Sequence, residues 1–337
     1  MGCAACASRR THRSACTPTP PTWAARRSRS RPWRAACRSS CRAELATAVR
    51  LESGFVKVGR LSVHHTYGGK GAPPVLFVHG LGSSGYIEWR FTLPAIARRH
   101  RVLAPDLPGF GRTDKPRGGR YGIAYFARAL VRYLDIQELA RVAVVGTSMG
   151  GRVALELALR APGRVERLVL VNALGLGRPQ LQLLYPLMFL PRVGEAAMHV
   201  AKTAVRRVPP AMIRRFAARY AGITADLERT MDDAYLDDLR EMYAAEGYTD
   251  AYLSTVRSMA PAGLFGGHDL SASLGRLKMP VQLIWGSNDP LFPVAHATRA
   301  HQLLPGSRLA VIEGAGHTPQ AERPDEFNRV LSRFLAA

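Results

Sequence analysis

From residue 51 onward, short runs of β-branched and aliphatic residues alternate with stretches of helical periodicity. No other feature limits the fold so strongly. Strand-like runs fall at Phe55–Val58, Leu61–Tyr67, Val75–Val78, Arg101–Ala104, Val142–Val145, Leu168–Val171, Val281–Trp285 and Arg308–Ile312. Gly or Pro punctuates nearly every end, as turn chemistry requires. The first two runs read as an antiparallel hairpin. The later ones are continuously apolar, which marks strands buried on both faces. The expected class is α/β, an eight-stranded, mostly parallel sheet with helices on both faces.

The helical stretches carry the matching stripes. Phe126, Leu130, Tyr133 and Leu134 share one helical face, as do Phe327, Val330, Leu331 and Phe334. After Ser148, Val153, Ala154, Leu157 and Ala158 face inward, and Arg152, Glu156 and Arg160 face out. Between Val171 and Val281 the strand rhythm stops. This stretch is helical in pattern and divided in charge. Residues 175–222 carry eight basic residues against Glu195, and residues 223–250 carry nine acids against Arg229 and Arg240. Two helical layers with complementary surfaces are expected, in preference to a basic helix lying on a membrane. The domain division is therefore a tail at 1–50, a core over 51–173 and 276–337, and an inserted helical cap at 174–275.

The formal net charge of +22 would suggest a nucleic-acid binder, but its distribution argues otherwise. Residues 1–50 hold eleven Arg and one acid, Glu44, together with all five Cys: Cys3, Cys6, Cys16, Cys37 and Cys41. A secreted disulfide scaffold would spread its cysteines through the folded part, so a cytoplasmic protein is expected. No His stands at zinc-finger spacing from these cysteines, and no metal site is expected. The tail reads as a disordered basic arm, a targeting segment or a mis-assigned start, and its composition favours the last. No nucleic acid is expected as partner. No apolar run is long enough to span a membrane.

One pentapeptide carries chemistry. Gly146-Thr147-Ser148-Met149-Gly150 follows a strand and opens a helix, the context of a G-x-S-x-G nucleophile elbow. Such a turn exposes a serine Oγ and leaves no room for side chains on the flanking glycines. The serine needs a histidine to take its proton and an acid to orient the histidine. The seventh strand ends in Gly286-Ser287-Asn288-Asp289-Pro290 and the eighth in Glu313-Gly314-Ala315-Gly316-His317. Asp289 and His317 therefore stand at strand ends, in the order the elbow architecture uses. The sixth strand ends in Asn172, which cannot carry the charge. An oxyanion hole needs two N–H donors, here expected from Met149 and from Leu81 in His79-Gly80-Leu81-Gly82.

On these residues, with Asp106-Leu107-Pro108-Gly109-Phe110-Gly111 and Trp285-Gly286-Ser287-Asn288-Asp289, the chain from about Phe55 to Leu335 resembles the α/β-hydrolase fold superfamily. The resemblance implies that Ser148 is the nucleophile, Asp289 the acid and His317 the base, with a cap between the sixth and seventh strands. Within the superfamily the chain looks like lipase/esterase members and like hydrolases of meta-cleavage ring-fission products. The latter often carry Trp after the catalytic His, where this chain has Thr318. Ser148 argues against the epoxide hydrolases and haloalkane dehalogenases, which use Asp at the elbow.

Gly80-Leu81-Gly82-Ser83-Ser84-Gly85 is also a literal G-x-G-x-x-G, with Asp106 at the end of the next strand. That pattern alone would propose a dinucleotide-binding oxidoreductase. It leaves Ser148, Asp289 and His317 unexplained. A binding protein on a spent hydrolase scaffold would be missing a triad member, and none is missing. The expectation is a cofactor-independent esterase or lipase-like enzyme acting on a small, apolar, ester-like substrate, with no cofactor and no metal. A C–C hydrolase or a cofactor-free haloperoxidase-type member is the alternative. The apolar run at 181–190 is expected to roof an acyl pocket in part.

Overall fold

The computed structural model describes residues 49–180, 185–216, 226–259 and 269–337. The tail and residues 181–184 of the apolar run lie outside the described residues.

All eight strands form, as β1 (Leu51–Val58), β2 (Leu61–Gly68), β3 (Val75–Val78), β4 (Val102–Pro105), β5 (Val142–Thr147), β6 (Val165–Val171), β7 (Val281–Gly286) and β8 (Arg308–Ile312). They make one sheet in the order β1-β2-β4-β3-β5-β6-β7-β8. β1 pairs antiparallel with β2 and β2 with β4, and every other pairing is parallel. Gly59, at φ +62, takes the first corner of the two-residue hairpin turn, where a side chain would be strained. Two strands start earlier than their apolar runs. β1 begins at Leu51 because its polar start pairs with β2, where Tyr67 Oη donates to Glu52. β6 begins at Val165, opposite Val142, and Arg167 reaches over the Phe334 ring at 5.8 Å.

The continuous apolar strands sort their side chains by a period of two. Leu76 and Val78 of β3, Val144 of β5 and Leu168 and Leu170 of β6 enter one core, while Val75, Phe77, Ala143, Val145, Val169 and Val171 enter the other. The helices are α1 (Gly85–Trp89), α2 (Leu93–Ile96), α3 (Ile123–Ile136), α4 (Met149–Arg160), α5 (Val193–Arg207), α6 (Pro210–Phe216), α7 (Leu227–Thr230), α8 (Asp233–Ala244), α9 (Tyr248–Met259), α10 (Val294–Leu303), α11 (Pro319–Glu322) and α12 (Pro324–Ala336). α3, α4 and α10 cover the first core; α1, α2 and α12 cover the second. On α12, Phe327, Leu331 and Phe334 are buried and Val330 packs at the margin. Each large side chain so buried stabilises the fold by about 1.5–3 kcal/mol.

The stretch between β6 and β7 is helical among its described residues, α5 to α9. Its two charged halves do meet, through Arg214–Asp233 at 2.6 Å and through Arg240 Nε donating to Val205 O. Three acids of the second half instead dock on arginines of the core segment, at Arg90–Asp232 (3.2 Å), Arg112–Glu241 (2.8 Å) and Arg117–Glu246. The complementarity expected within the insert is thus joined by complementarity between insert and core segment. Of the apolar run, Leu187 and Leu190 are exposed and Met188 packs against the core.

Candidate active site

The turn from β5 into α4 is built by close approach of backbones. A Cβ at Gly146 would lie 2.3 Å from the Gly150 carbonyl oxygen, and one at Gly150 would lie 2.3 Å from Val78 O and 2.4 Å from His79 O. Ser148 between them adopts φ 53 and ψ −121, a conformation that L side chains rarely take. Its N–H donates to Val171 O at 3.0 Å and its carbonyl accepts from Leu174 N at 3.0 Å, so the end of β6 clamps the turn. Ser148 keeps partial access to solvent, while Thr147 and Met149 are buried.

Asp289 and His317 meet. Asp289 Oδ2 lies 2.9 Å from His317 Nδ1, and both residues are buried. Oδ1 of Asp289 accepts from the N–H groups of Leu291 (2.8 Å) and Phe292 (3.1 Å), a local turn set up by Pro290. The loops after β7 and β8 touch so closely that a Cβ at Gly286 would lie 2.0 Å from Gly316 O. The His317 ring packs on Phe292, centroids 5.4 Å apart.

Asn172, set aside from the sequence as unable to carry a charge, has a different task. It is fully buried at φ +40. Its Nδ2 donates to Asp289 Oδ2 and to Gly316 O, and its Oδ1 accepts from Gly286 N at 3.0 Å. One amide thereby ties together the ends of β6, β7 and β8. Asn tolerates positive φ, which was the only local sign of this role.

The loop after β3 abuts the elbow, since a Cβ on Gly80 would lie 3.5 Å from Ser148 Cβ. His79 holds this loop. Its Nε2 accepts from Leu107 N at 2.9 Å, so the proton sits on Nδ1, which bonds Gly80 O at 2.7 Å. Burial pushes the His79 pKa down and keeps the ring neutral. Met149 N–H, first in α4, has no partner inside the helix. Neither it nor Leu81 N–H meets an acceptor among the described residues. Two further residues escaped the sequence reading. Glu88 Oε2 accepts from Gly80 N at 3.3 Å, and its Oε1 accepts from Gln320 Nε2 at 2.7 Å.

Asp106 explains the rival glycine pattern. Its Oδ1 accepts from Gly85 N (2.7 Å), and its Oδ2 from Arg112 N (2.9 Å) while pairing with His64 Nδ1 (2.9 Å). Burial opposes its ionisation, yet the His64 hydrogen bond and the nearby histidines hold its carboxyl below the usual range. Both oxygens are thus engaged inside the fold. Gly85 is required because a Cβ there would lie 2.3 Å from Ala104 O. Arg152 is a correction: expected to face out, it is buried, bonded to Glu156 at 2.7 Å, in a groove shared with Tyr125, Asp250 and Arg257. The described residues hold no His/Cys/Asp/Glu group arranged for a metal ion and no helix able to cross a membrane.

Comparisons place the fold. The chain is 32% identical to a 2-hydroxy-6-oxo-2,4-heptadienoate hydrolase of Pseudomonas putida, covering 78% of this chain and 89% of that protein. It is 33% identical to a dihydrolipoyllysine-residue acetyltransferase component of the acetoin cleaving system of Cupriavidus necator, covering 83% and 68%. Its fold superposes on the meta-cleavage product hydrolase of Pseudomonas fluorescens with a TM-score of 0.67 at 25% identity, covering 85% and 97%. The family model described as alpha/beta hydrolase fold matches residues 73–324, and the chain belongs to that family.

Proposed function

We propose that this hydrolase works through Ser148, Asp289 and His317 and cleaves carboxylic esters of small, apolar acids without a cofactor. The observations that carry the reading are the Asp289–His317 hydrogen bond between the ends of β7 and β8 and the serine held at positive φ at the end of β5. With Nδ1 committed to Asp289, His317 has Nε2 left to take the Ser148 proton. Ser148 Oγ then attacks the ester carbonyl, and the resulting oxyanion accepts from Leu81 and Met149 N–H, donors of a kind worth about 3–4 kcal/mol each in the transition state. His317 passes the proton to the departing alkoxide, leaving an acyl-enzyme. Water, deprotonated by His317, attacks the acyl carbonyl and releases the acid. The helices between β6 and β7 act as the cap over this site.

A second reading, C–C cleavage of a ring-fission product, is favoured by the hydrolases that the chain resembles. Two local features speak for esters. Thr318 stands where those enzymes often carry Trp, and it is tied to Glu322 through both its N–H and its hydroxyl at 3.0 Å. The substrate of the second reading carries a carboxylate that calls for a fixed cation, and buried Arg152 is already committed to Glu156.

The test compares p-nitrophenyl esters from acetyl to octanoyl with a ring-fission keto-acid, alongside labelling by a fluorophosphonate. Ester turnover rising to about hexanoyl or octanoyl is expected, as each buried CH₂ contributes about 0.8 kcal/mol, with labelling lost in Ser148→Ala. Turnover of the keto-acid far above every ester would replace the ester reading by the second. Labelling that persists in Ser148→Ala would remove both.

A further inference from the structure

We propose that Glu88 sets the charge preference of this site, so that the enzyme takes neutral or cationic acyl groups and rejects those bearing a carboxylate. The inference rests on the ester reading and concerns which esters are taken. The point where Gly80 would carry a Cβ lies 3.4 Å from Glu88 Oε2 and 3.5 Å from Ser148 Cβ, so the carboxylate oxygen is at most about 7 Å from that Cβ. None of the proposed steps uses it. It forms no ion pair among the described residues. The nearest arginine in sequence, Arg90, is turned to the insert, where it donates to Arg229 O and Thr230 O and pairs with Asp232. Arg112 is held by both oxygens of Glu241. Asp238 approaches from α8 on Ser84 Oγ at 3.0 Å, and burial pushes its carboxyl pKa up. The loop beside the oxyanion donors is therefore faced by the Glu88 carboxylate with no cation paired to it among the described residues.

A purely structural task for Glu88 is also visible, since it joins the loop after β3 to α11 through Gly80 and Gln320. Glu88→Gln separates the two. The amide retains an oxygen for Gly80 N, and Gln320, whose Oε1 is buried without a partner, accepts the new N–H after an amide flip. The charge is removed and the strut is kept.

Three p-nitrophenyl esters of one spacer length form the probe: 4-(trimethylammonio)butanoate, 5,5-dimethylhexanoate and glutarate. A unit charge about 7–8 Å from Glu88 at an effective dielectric of about 20–40 should change kcat/KM about tenfold. Wild type should hydrolyse the cationic and neutral esters at least about tenfold faster than the glutarate ester. In Glu88→Gln the cation-to-anion ratio should fall about a hundredfold, with the neutral ester within about threefold of wild type. A strut alone would change all three esters by one factor. Wild type that cleaves the glutarate ester as fast as the neutral one overturns the proposal without any variant, and so does an unchanged ratio in Glu88→Gln. Failure to cleave any of the three, with a keto-acid turned over instead, overturns the ester reading and this inference with it.

Discussion

Asn172→Ala offers a quantitative test of how the acid is held. The substitution removes a donor to the Asp289 carboxylate and leaves Gly286 N–H and Gly316 O unpaired inside a buried junction. A hydrogen bond to a charged group contributes about 1.5–3 kcal/mol, and each orphaned buried group costs about 1–3 kcal/mol. Alanine must also hold φ +40, a strain of order 1 kcal/mol. Partial relaxation of the loops leaves an expected loss of about 3–5 kcal/mol, which for a domain of this size lowers Tm by roughly 10 °C. Activity should respond less. Asp289 keeps Leu291 and Phe292 N–H on Oδ1 and His317 on Oδ2, so kcat should fall about 10- to 100-fold rather than the roughly 10⁴-fold of a lost triad acid. Calorimetry and ester turnover on the same preparations give both numbers. A Tm within 2 °C or so of wild type would show that the junction contributes nothing in solution. A kcat loss as deep as that of Asp289→Asn would show that Asn172 does more than hold the carboxylate.

Ser148→Ala, His317→Ala and Asp289→Asn should each reduce ester turnover by several orders of magnitude with Tm nearly unchanged, and an Asp289→Asn enzyme close to wild type would refute the choice of acid. Gly150→Ala should fail to fold, or lose several kcal/mol, because both atoms its Cβ would strike are backbone oxygens, whereas Gly163→Ala meets open space and should fold normally; soluble yield and Tm decide. Burial, with the neighbouring His64 and Arg101 charges, lowers His65 from about 6.5 to about 4. The unfolded chain takes up that proton near pH 6.5 and the folded one only near pH 4. Its contribution is therefore complete above pH 6.5 and is lost as pH falls through that window. The full shift corresponds to about 3 kcal/mol, and partial solvent screening leaves about 1–2 kcal/mol. His65→Gln should accordingly lose less Tm than wild type between pH 7 and 4.5, and an identical loss would count against this account.

What the residues declare locally came through directly. Continuous apolar runs specify strands buried on both faces, and the eight runs became the eight strands. The elbow needs only its own glycines and the strand and helix on either side. The order of Ser148, Asp289 and His317 along the chain follows from strand ends, so those three positions were legible before any fold was drawn. Their roles stand on the experiments above.

Other features depend on which strand lies beside which, and neighbouring residues carry no record of that. Asn172 looked like an uncharged leftover because its partners, Asp289 and Gly316, lie 117 and 144 residues away. The bond between Glu88 and Gln320 spans 232 residues and exists only because the segments after the parallel strands β3 and β8 leave the same end of the sheet. Asp106 offered a rival ribose ligand, and the task it has instead, holding His64, Gly85 and Arg112, is visible only in the fold. Arg152 pointed outward by helical phase, and the insert covered it. Periodicity is a property of one segment and survives in the sequence, whereas the pairing of distant polar groups is settled only when packing brings their segments together and forces each buried donor to find an acceptor.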